Sequence, residues 1–313
     1  MFFSVVIPTY NRADTLRMAL EAFYKQSMDE RDYEIIVVND GGSDHTARVV
    51  SEFKKKHGNL RYVRQKNAGQ GVARNRGIAM AKGKIIVLGQ DDIIPTHDFL
   101  YEHQKFHYLH PEENAAVLGF TAWHPELKVN RYMRWVVNGS SILGRFGGHQ
   151  FAYEKLHGRE LADYNFFYTS NVSVKTSLFR KHPFDPDFGG YGWEDIELGY
   201  RLEKLAGMKL YYNSWAVAYH YHLMDESSLP ARMEAVGRSA RILQKKAPQL
   251  AKMPGPGKYL LLAMIGSWPV VLTLRAIKSL SGGRYHGLYY YALSKRHFLR
   301  GLRKSRKKLA NLL

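Results

Sequence analysis

The chain has 313 residues, 45% of them hydrophobic, and carries a formal net charge of +18 at pH 7. This length allows one large domain or two smaller ones with a substantial core. Cysteine is absent, which excludes a disulfide framework and thiol chemistry and fits a reducing compartment. The apolar run at residues 2–7 is too short for a signal peptide, so we expect a cytoplasmic protein.

Most of the positive charge lies near the C-terminus. Residues 251–313 contain thirteen Lys or Arg and no Asp or Glu, which leaves +5 for residues 1–250. The composition therefore predicts a basic tail that is appended to a body of ordinary charge.

Short strands and helices alternate in the first part of the chain. The hydrophobic pattern predicts strands at 3–7, 33–38, 60–64 and 85–88, and helices at 12–25, 46–56 and 71–81. This alternation predicts right-handed crossovers and a parallel sheet with helices on both faces. The predicted fold class is therefore α/β.

Two adjacent carboxylates, Asp91 and Asp92, follow the apolar strand at 85–88. Ligands of open α/β sheets bind at the carboxyl ends of such strands. Two like charges side by side raise a pKa unless a cation lies beside them, and a divalent metal is the natural candidate. The alternative is that Asp92 only begins the turn into the next helix, with Pro95 and Asp98 as helix-start residues.

Polar groups also follow the first two predicted strands, at residues 8–12 and at Asp40. Each of these groups could by itself be a turn or a helix cap. Because the carboxyl ends of parallel strands share one edge of a sheet, their joint placement favours a nucleotide-binding crevice. The sequence has neither the glycine fingerprint of a dinucleotide fold after the first strand nor a P-loop.

These segments resemble the ordered motifs of family 2 glycosyltransferases, in particular of bacterial members that act on cell-wall and cell-surface glycans. The similarity covers about residues 2–245 and rests on segments 5–12, 36–44, 67–77, 90–92, 169–174, 184–185, 190–202 and 218–222. It implies a GT-A fold, in which a Rossmann-like nucleotide-binding sheet merges with an acceptor-binding half, here followed by a helical basic tail. Gln90 departs from the pattern, since many members have the first Asp of a D-x-D triplet there.

The resemblance implies transfer of a sugar from a nucleotide diphosphate donor, with a UDP-sugar favoured, to an acceptor hydroxyl with inversion. It also implies Mn²⁺ or Mg²⁺ on the diphosphate, where a hard cation would neutralise the charge of the leaving group. Asp92 is assigned the metal contact and Asp91 a nucleotide or sugar contact.

The family pattern further assigns a nucleoside pocket. Asp40 would accept a hydrogen bond from the ring N–H of uracil, while Thr9 and Asn11 would line the pocket. Arg74 would lie near the base or the diphosphate, although a helix-surface charge is the alternative for this residue.

A second cluster is Trp193-Glu194-Asp195, between the turn residues 189–192 and an amphipathic run at 196–205. Its carboxylates are predicted at a helix N-terminus, where the dipole favours the ionised form. We predict Asp195 as general base, Glu194 as a ligand of the acceptor hydroxyl, and Trp193 as a stacking face for a sugar. The alternative is an acidic helix cap next to a core Trp.

Residues 216–222 alternate like a strand, so His220 and His222 are predicted to share a face. The family has a metal-binding His at this point, and imidazole is an acceptable third ligand. We predict His220 as the metal ligand, with His222 as the second choice.

Three functional segments are predicted: a nucleotide-sugar-binding half at 1–95, an acceptor-binding and catalytic half at 96–250, and a membrane-associating tail at 251–313. Residues 259–274 form an apolar run that is shorter than the ~20 residues of a membrane span and is interrupted by Gly266 and Pro269. Such a run is typical of an interfacial or re-entrant segment.

The expected partners are the donor, a glycan or lipid-linked acceptor, and an anionic membrane surface at the inner face of the cell membrane. Two other functions are considered. A nucleic-acid-binding protein is suggested by the basic tail alone, and we expect no nucleic acid because the clustered carboxylates of the body would repel phosphates. A nucleotidyl or phospho-sugar transferase would need a phosphate loop rich in Lys or Arg, which the sequence lacks.

Overall fold

The structure, a computed structural model, describes residues 1–140, 150–250 and 253–310, the last six of these by their backbone alone. The chain divides into two compact units. Unit 1 comprises Met1–Leu127, Tyr153–Gly189 and Glu194–His222. Unit 2 comprises Lys128–Ala152, Gly190–Trp193 and Leu223–Leu313, as far as these ranges are described.

The chain forms nine β-strands and eleven α-helices within its described residues. They are β1 (Phe3–Thr9), α1 (Ala13–Phe23), β2 (Tyr33–Asn39), α2 (Thr46–Lys54), β3 (Leu60–Arg64), α3 (Gln70–Met80), β4 (Ile85–Leu88), β5 (Ile93–Pro95), α4 (Phe99–Leu109), β6 (Ala115–Trp123), α5 (Arg131–Asn138), β7 (Leu161–Ala162), β8 (Val172–Lys175), α6 (Thr176–Lys181), α7 (Glu194–Ala206), β9 (Lys209–His220), α8 (Leu229–Lys246), α9 (Pro256–Ile265), α10 (Trp268–Leu280) and α11 (His286–Ala310).

The first four strands of unit 1 are parallel and lie in the order β3-β2-β1-β4. Every residue of β1, β2 and β4 is buried, because helices cover both faces of a sheet of this kind. The alternating strands and helices predicted from the sequence are confirmed here, with ends that differ by a few residues.

The sheet then continues as a mixed one, in the order β4-β8-β6-β9-β5, with β7 paired to β9. Strand β8 is antiparallel to both β4 and β6, β6 is parallel to β9, and β5 is antiparallel to β9. The parallel arrangement therefore ends at β4. The strands beyond β4, in the order β8-β6-β9-β5, form the mixed part of the sheet.

Close packing of α3 on the sheet brings its N-terminal half to the carboxyl ends of β1 and β2. A Cβ atom at Gly77 would overlap Val6 and would lie 3.3 Å from Val38 Cγ2. Only glycine allows this approach of helix to strand. On the opposite face, α1 and α2 cover the sheet through a core that includes Leu16, Leu20 and Val49.

Unit 2 is built on the packing of α8 against α11. A Cβ atom at Gly237 of α8 would overlap Phe298 O, and one at Gly301 of α11 would overlap Glu234 O. These two glycines let the helix backbones approach each other closely. The C-terminal helices predicted from the sequence are confirmed, and α11 is a core helix of unit 2 that buries Leu299 and Leu302.

The predicted functional boundaries at residues 95 and 250 do not coincide with the limits of the two units. Residues 128–152 and 190–193 belong with the C-terminal helices rather than with the sheet. The assignment of functions to the three segments stays a prediction. Within the described ranges, no single helix is long and apolar enough to cross a membrane, although α9 and α10 together, bent by 45°, pass the length and composition test.

Candidate active site

Asp92, His220 and His222 form a cluster at the junction of β5 and β9. Strand β5 begins directly after Asp92, Ile93 lies opposite His220 in the pairing with β9, and Tyr221 N donates to Asp92 O at 2.8 Å. Asp92 Oδ2 lies 3.2 Å from His220 Nε2 and 3.3 Å from His222 Nδ1. Asp92 lies in a turn, as the alternative expected, but this turn leads into the short strand β5, and α4 begins after Asp98.

The donor set of this cluster fits a divalent cation. One ligand atom from each of the three residues lies within 4.8 Å of the others. Asp92 Oδ1 is buried and has no hydrogen-bond partner among the described residues. One carboxylate and two imidazoles form a ligand set that protein metal sites use.

Arg12 supplies a cation beside the paired carboxylates. Its Nη1 forms an ion pair with Asp92 Oδ2 and lies 3.7 Å from Asp91 Oδ1. Burial and then the Asp92 charge raise the pKa of Asp91 to about 7, against the effect of Arg12. Burial also opposes ionisation of Asp92, but His220, His222 and Arg12 outweigh it and hold the pKa of Asp92 below its usual range. Of the two carboxyl groups, Asp92 is therefore the one whose ionised form is favoured, and Asp91 is the one whose ionised form is disfavoured.

The carboxylate of Asp40 anchors the loop that leads into α3. Its Oδ1 accepts hydrogen bonds from Gln65 Nε2 at 2.7 Å and Ala68 N at 3.0 Å, and its Oδ2 accepts one from Gly69 N at 2.9 Å. Since a carboxylate offers about four acceptor positions, capacity for one further donor remains. The matched segments 36–44 and 67–77 indicated Asp40 and part of this loop, but not the hydrogen bonds that join them.

Thr9 and Asn11 lie at the carboxyl end of β1 beside Asp40. Thr9 is buried and its carbonyl oxygen accepts from Asp40 N at 2.9 Å. Asn11 has a left-handed backbone with φ of 53°. Its Oδ1 accepts from Ser43 N at 2.7 Å and Asp44 N at 3.3 Å. Asn11 therefore shapes the turn after β2, and a contact of either residue with a nucleoside stays a prediction.

Arg74 links this edge of the sheet to the acidic residues of α7. Its side chain is fully buried, its guanidinium has no hydrogen-bond partner among the described residues, and its Cζ lies 5.3 Å from the centre of the Phe184 ring. Burial lowers the pKa of Arg74, while the charges of Glu194, Asp195 and Asp91 raise it. The alternative of a helix-surface charge is therefore wrong.

Glu194 and Asp195 occupy the first turn of α7, as the sequence predicted. Asp195 Oδ1 accepts a hydrogen bond from Ile196 N at 2.8 Å. Burial raises the pKa of Asp195, against the opposing effects of this N–H group and of Arg74. A carboxylate whose pKa is raised in this way is better matched to proton transfer near neutral pH than an exposed one.

Trp193, the third residue of the predicted cluster, belongs to unit 2. Its backbone is left-handed, with φ of 74°, and its Nε1 donates to Val236 O at 3.1 Å. The side chain packs against the cluster of Ala240, Leu262 and Leu299. The stacking of a sugar on Trp193 stays a prediction, and the indole has a structural role of its own.

Arg12 and Gln65 are the polar side chains of this site that the sequence predictions left out. Arg12 closes the first matched segment, and a basic residue next to the end of a buried strand was a usable signal. Gln65 lies between the matched segments 36–44 and 67–77. Its contact with Asp40 depends on the parallel pairing of β2 and β3, in which Asn39 lies opposite Arg64.

Comparison with known proteins identifies a family. Residues 4–184 match the model of "Glycosyl transferase family 2", which is more than half of the chain. Chondroitin synthase of Escherichia coli is 29% identical over 270 residues, an alignment that covers 78% of this chain and 38% of that protein. The chain thus spans well under two thirds of this relative's length.

Two solved structures have the same fold. A mannosyltransferase from Pyrobaculum calidifontis, in complex with GDP-Man and Mn²⁺, gives a TM-score of 0.62 at 16% identity, covering 96% of this chain and 86% of that one. S. aureus TarS in complex with UDP-GlcNAc gives a TM-score of 0.53 at 15% identity, covering 96% and 92%. With a mixed sheet of this order and a family match over most of it, the chain has the GT-A fold and belongs to glycosyl transferase family 2.

Proposed function

We propose that this glycosyltransferase is an inverting enzyme that moves a sugar from a UDP-sugar to a hydroxyl group of a glycan or lipid-linked acceptor. The observation that carries the proposal is the fully buried guanidinium of Arg74, whose pKa is lowered by burial and raised by the charges of Glu194, Asp195 and Asp91. In the proposed scheme, this cation balances carboxylates of the donor side and of the acceptor side. Residues 1–95 serve the nucleotide sugar in this scheme and residues 96–250 the acceptor.

Asp40, Thr9 and Asn11 bind the nucleoside. Asp40 keeps acceptor capacity after its three bonds to the loop at residues 65–69, and the ring N–H of uracil is a donor that it can take. A guanine base presents a different set of donors and acceptors to the same group. The complex of TarS with UDP-GlcNAc is consistent with a UDP-sugar donor for this fold.

Asp92 and His220 would hold Mn²⁺ or Mg²⁺, and His222 would complete the ligand set. The shared approach of both imidazoles to Asp92 Oδ2 supports this assignment, as does the Mn²⁺ complex of the mannosyltransferase. A bound divalent cation would neutralise charge on the departing diphosphate. Arg12, which also pairs with Asp92, supplies positive charge to the same region, and Asp91 contacts the nucleotide or the sugar.

Asp195 acts as the general base. Its carboxylate takes the proton of the acceptor hydroxyl as that oxygen attacks the anomeric carbon, and the bond from this carbon to the diphosphate oxygen breaks. Attack from the side opposite the leaving group inverts the configuration. Glu194 binds the acceptor hydroxyl and Trp193 contributes a stacking face.

A thermal-shift experiment tests the nucleotide assignment. UDP is expected to protect the protein against unfolding better than GDP, because ligand binding stabilises by RT ln(1 + [L]/Kd), about 2.7 kcal/mol at a hundredfold excess over Kd. Both nucleotides are compared in the presence of Mn²⁺. Equal protection by UDP and GDP would remove Asp40 as the group that recognises uracil.

Replacing Arg74 with Met tests the buried guanidinium. Met fills much of the same volume but leaves the buried carboxylates without this cation, so the melting temperature should fall, and donor affinity should fall about tenfold to a hundredfold. Isothermal titration with the donor and a melting curve give both quantities. Arg76→Met, at an exposed position of the same helix, is the matched control. Unchanged donor affinity in Arg74→Met would contradict the assignment.

We place the enzyme at the inner face of the cell membrane, on an anionic lipid surface, where a lipid-linked acceptor would be presented. The support is the composition of residues 251–313, which combine an apolar run with thirteen Lys or Arg and no acid. Anionic lipid attracts each nearby cation by about 1 kcal/mol, and the attraction weakens with salt.

A further inference from the structure

Helices α9 and α10 present their apolar side chains to solvent. Each of the two helices has a single buried residue with a large side chain, Leu262 in α9 and Val271 in α10. Eight large apolar side chains of the pair are exposed, with relative exposures from 37% to 89%: Leu260, Leu261, Met264, Trp268, Val270, Leu272, Ile277 and Leu280. Helices that are apolar around most of their circumference need a nonaqueous partner.

This surface is held in place by α11. At the bend, Arg296 Nη1 donates to Gly266 O at 3.1 Å, and the Arg296 guanidinium lies 3.7 Å from the centre of the Trp268 ring. A Cβ atom at Gly266 would lie 2.7 Å from Arg296 N, so a larger residue does not fit there. Arg303 Nε donates to Tyr259 OH at 2.9 Å near the start of α9. The two helices therefore form a supported surface rather than a loose tail.

Two exposed cations of α11 form ion pairs within unit 2. Glu234 of α8 pairs with Arg300 at 3.3 Å and with Lys304 at 2.6 Å, and His297 Nδ1 lies 3.1 Å from Glu234 Oε1. The exposed cations on the apolar helices themselves are Lys258 and Arg275. The basic stretch predicted to attract lipid is thus partly structural, and the exposed apolar area lies on the preceding two helices.

We propose that the α9–α10 face is a monotopic membrane-binding surface, which inserts into the interfacial layer of an anionic bilayer with α11 as its support. Neither helix alone, with 10 or 13 residues and a length of about 15–20 Å, crosses a hydrocarbon core of ~30 Å. The bent pair together passes the test for a broken span, but a span would carry the Arg296 guanidinium at the bend into the hydrocarbon. Lys258 and Arg275 complement anionic headgroups. A second copy of the chain presents the same cations rather than complementary anions, so charge complementarity favours an anionic bilayer as the occupant.

The test uses the full-length chain and sedimentation with vesicles of phosphatidylcholine alone or of equimolar phosphatidylcholine and phosphatidylglycerol. The parent should sediment with the mixed vesicles, and most of it should stay bound in 1 M salt, where the Debye length is ~3 Å. Leu261→Gln and Leu272→Gln should each lower the partition coefficient about tenfold or more. Leu109→Gln, at a 64% exposed apolar position of α4, should bind like the parent.

Three results would overturn the proposal. If both leucine variants bind vesicles as well as the parent does, the apolar face does not contact the bilayer. If 1 M salt releases all of the bound protein, or if only a Lys258→Gln/Arg275→Gln variant loses binding, the protein adsorbs to the lipid surface through its charges and does not insert. The face binds a second copy if the parent does not sediment with vesicles and elutes as a dimer, whereas Leu261→Gln elutes as a monomer. Protection by UDP is measured on the same proteins and should not change, so the catalytic proposal stands or falls separately.

Discussion

Replacing Asp195 with Asn is expected to lower kcat by ~10²–10⁴-fold, the range that general base catalysis supplies, with little effect on donor affinity. Asn keeps the shape of the side chain, and its oxygen can still accept from Ile196 N as Asp195 does at 2.8 Å. It loses the ability to take a proton from the acceptor hydroxyl. Steady-state kinetics with saturating donor, together with a donor titration, separate the two effects.

The pH profile distinguishes a base from a residue with a structural role. Burial raises the pKa of Asp195, and the base works only when ionised, so parental kcat should fall as pH drops through a value above the ordinary ~3.9 of an aspartate. The Asn variant should lack this limb. Glu194→Gln serves as the companion variant and should raise the acceptor KM more than it lowers kcat. If Asp195→Asn keeps the parental kcat, the base lies elsewhere, with Glu194 the first alternative.

Asp92→Ala is expected to abolish turnover, and EDTA should do the same to the parent enzyme. The carboxylate is the shared partner of both imidazoles, so its removal takes away the anionic ligand and the group that orients them. Mn²⁺ affinity, measured by calorimetry without donor, should be lost in parallel. Full activity of the parent in EDTA would end the metal assignment.

Two further variants make the metal test specific. Asp98→Ala removes an exposed aspartate that precedes α4 and should retain Mn²⁺ binding. His220→Ala should weaken Mn²⁺ binding more than His222→Ala, since the His220 side chain is the less exposed of the two, 12% against 32%, and its ring stacks on Trp123. The reverse order would exchange the roles of the two histidines.

The first half of the sheet was predictable from the sequence because its strands are continuous apolar runs and its helices show regular periodicity. The run at 85–88 lies on the central strand β4, which is buried throughout. The antiparallel insertion of β8 between β4 and β6 was not predicted. It depends on pairing between residues far apart in the chain, which no local pattern records.

The positions of Asp92, His220 and Asp195 at strand and helix ends were predictable from motifs, and the roles of these residues stay proposals. Burial of individual charges was not predictable. Arg74 and Arg76 lie two positions apart on α3, yet only Arg74 is buried, because the close approach at Gly77 decides which side of the helix meets the sheet. Similarly, the thirteen cations after residue 250 indicated a basic tail. The sequence did not show that Arg300 and Lys304 of α11 form ion pairs with Glu234 of α8.

The pairing of β5 with β9 has a consequence for how the protein matures during synthesis. It joins residues 93–95 to residues 218–220, and contacts of such long sequence separation form late because closing the intervening loop is entropically costly. A nascent chain that ends before β9 carries the carboxylate of Asp92 but neither imidazole. The ligand set proposed for the divalent cation is therefore completed only late, and a ribosome-bound fragment that ends before residue 220 contains neither histidine of that set.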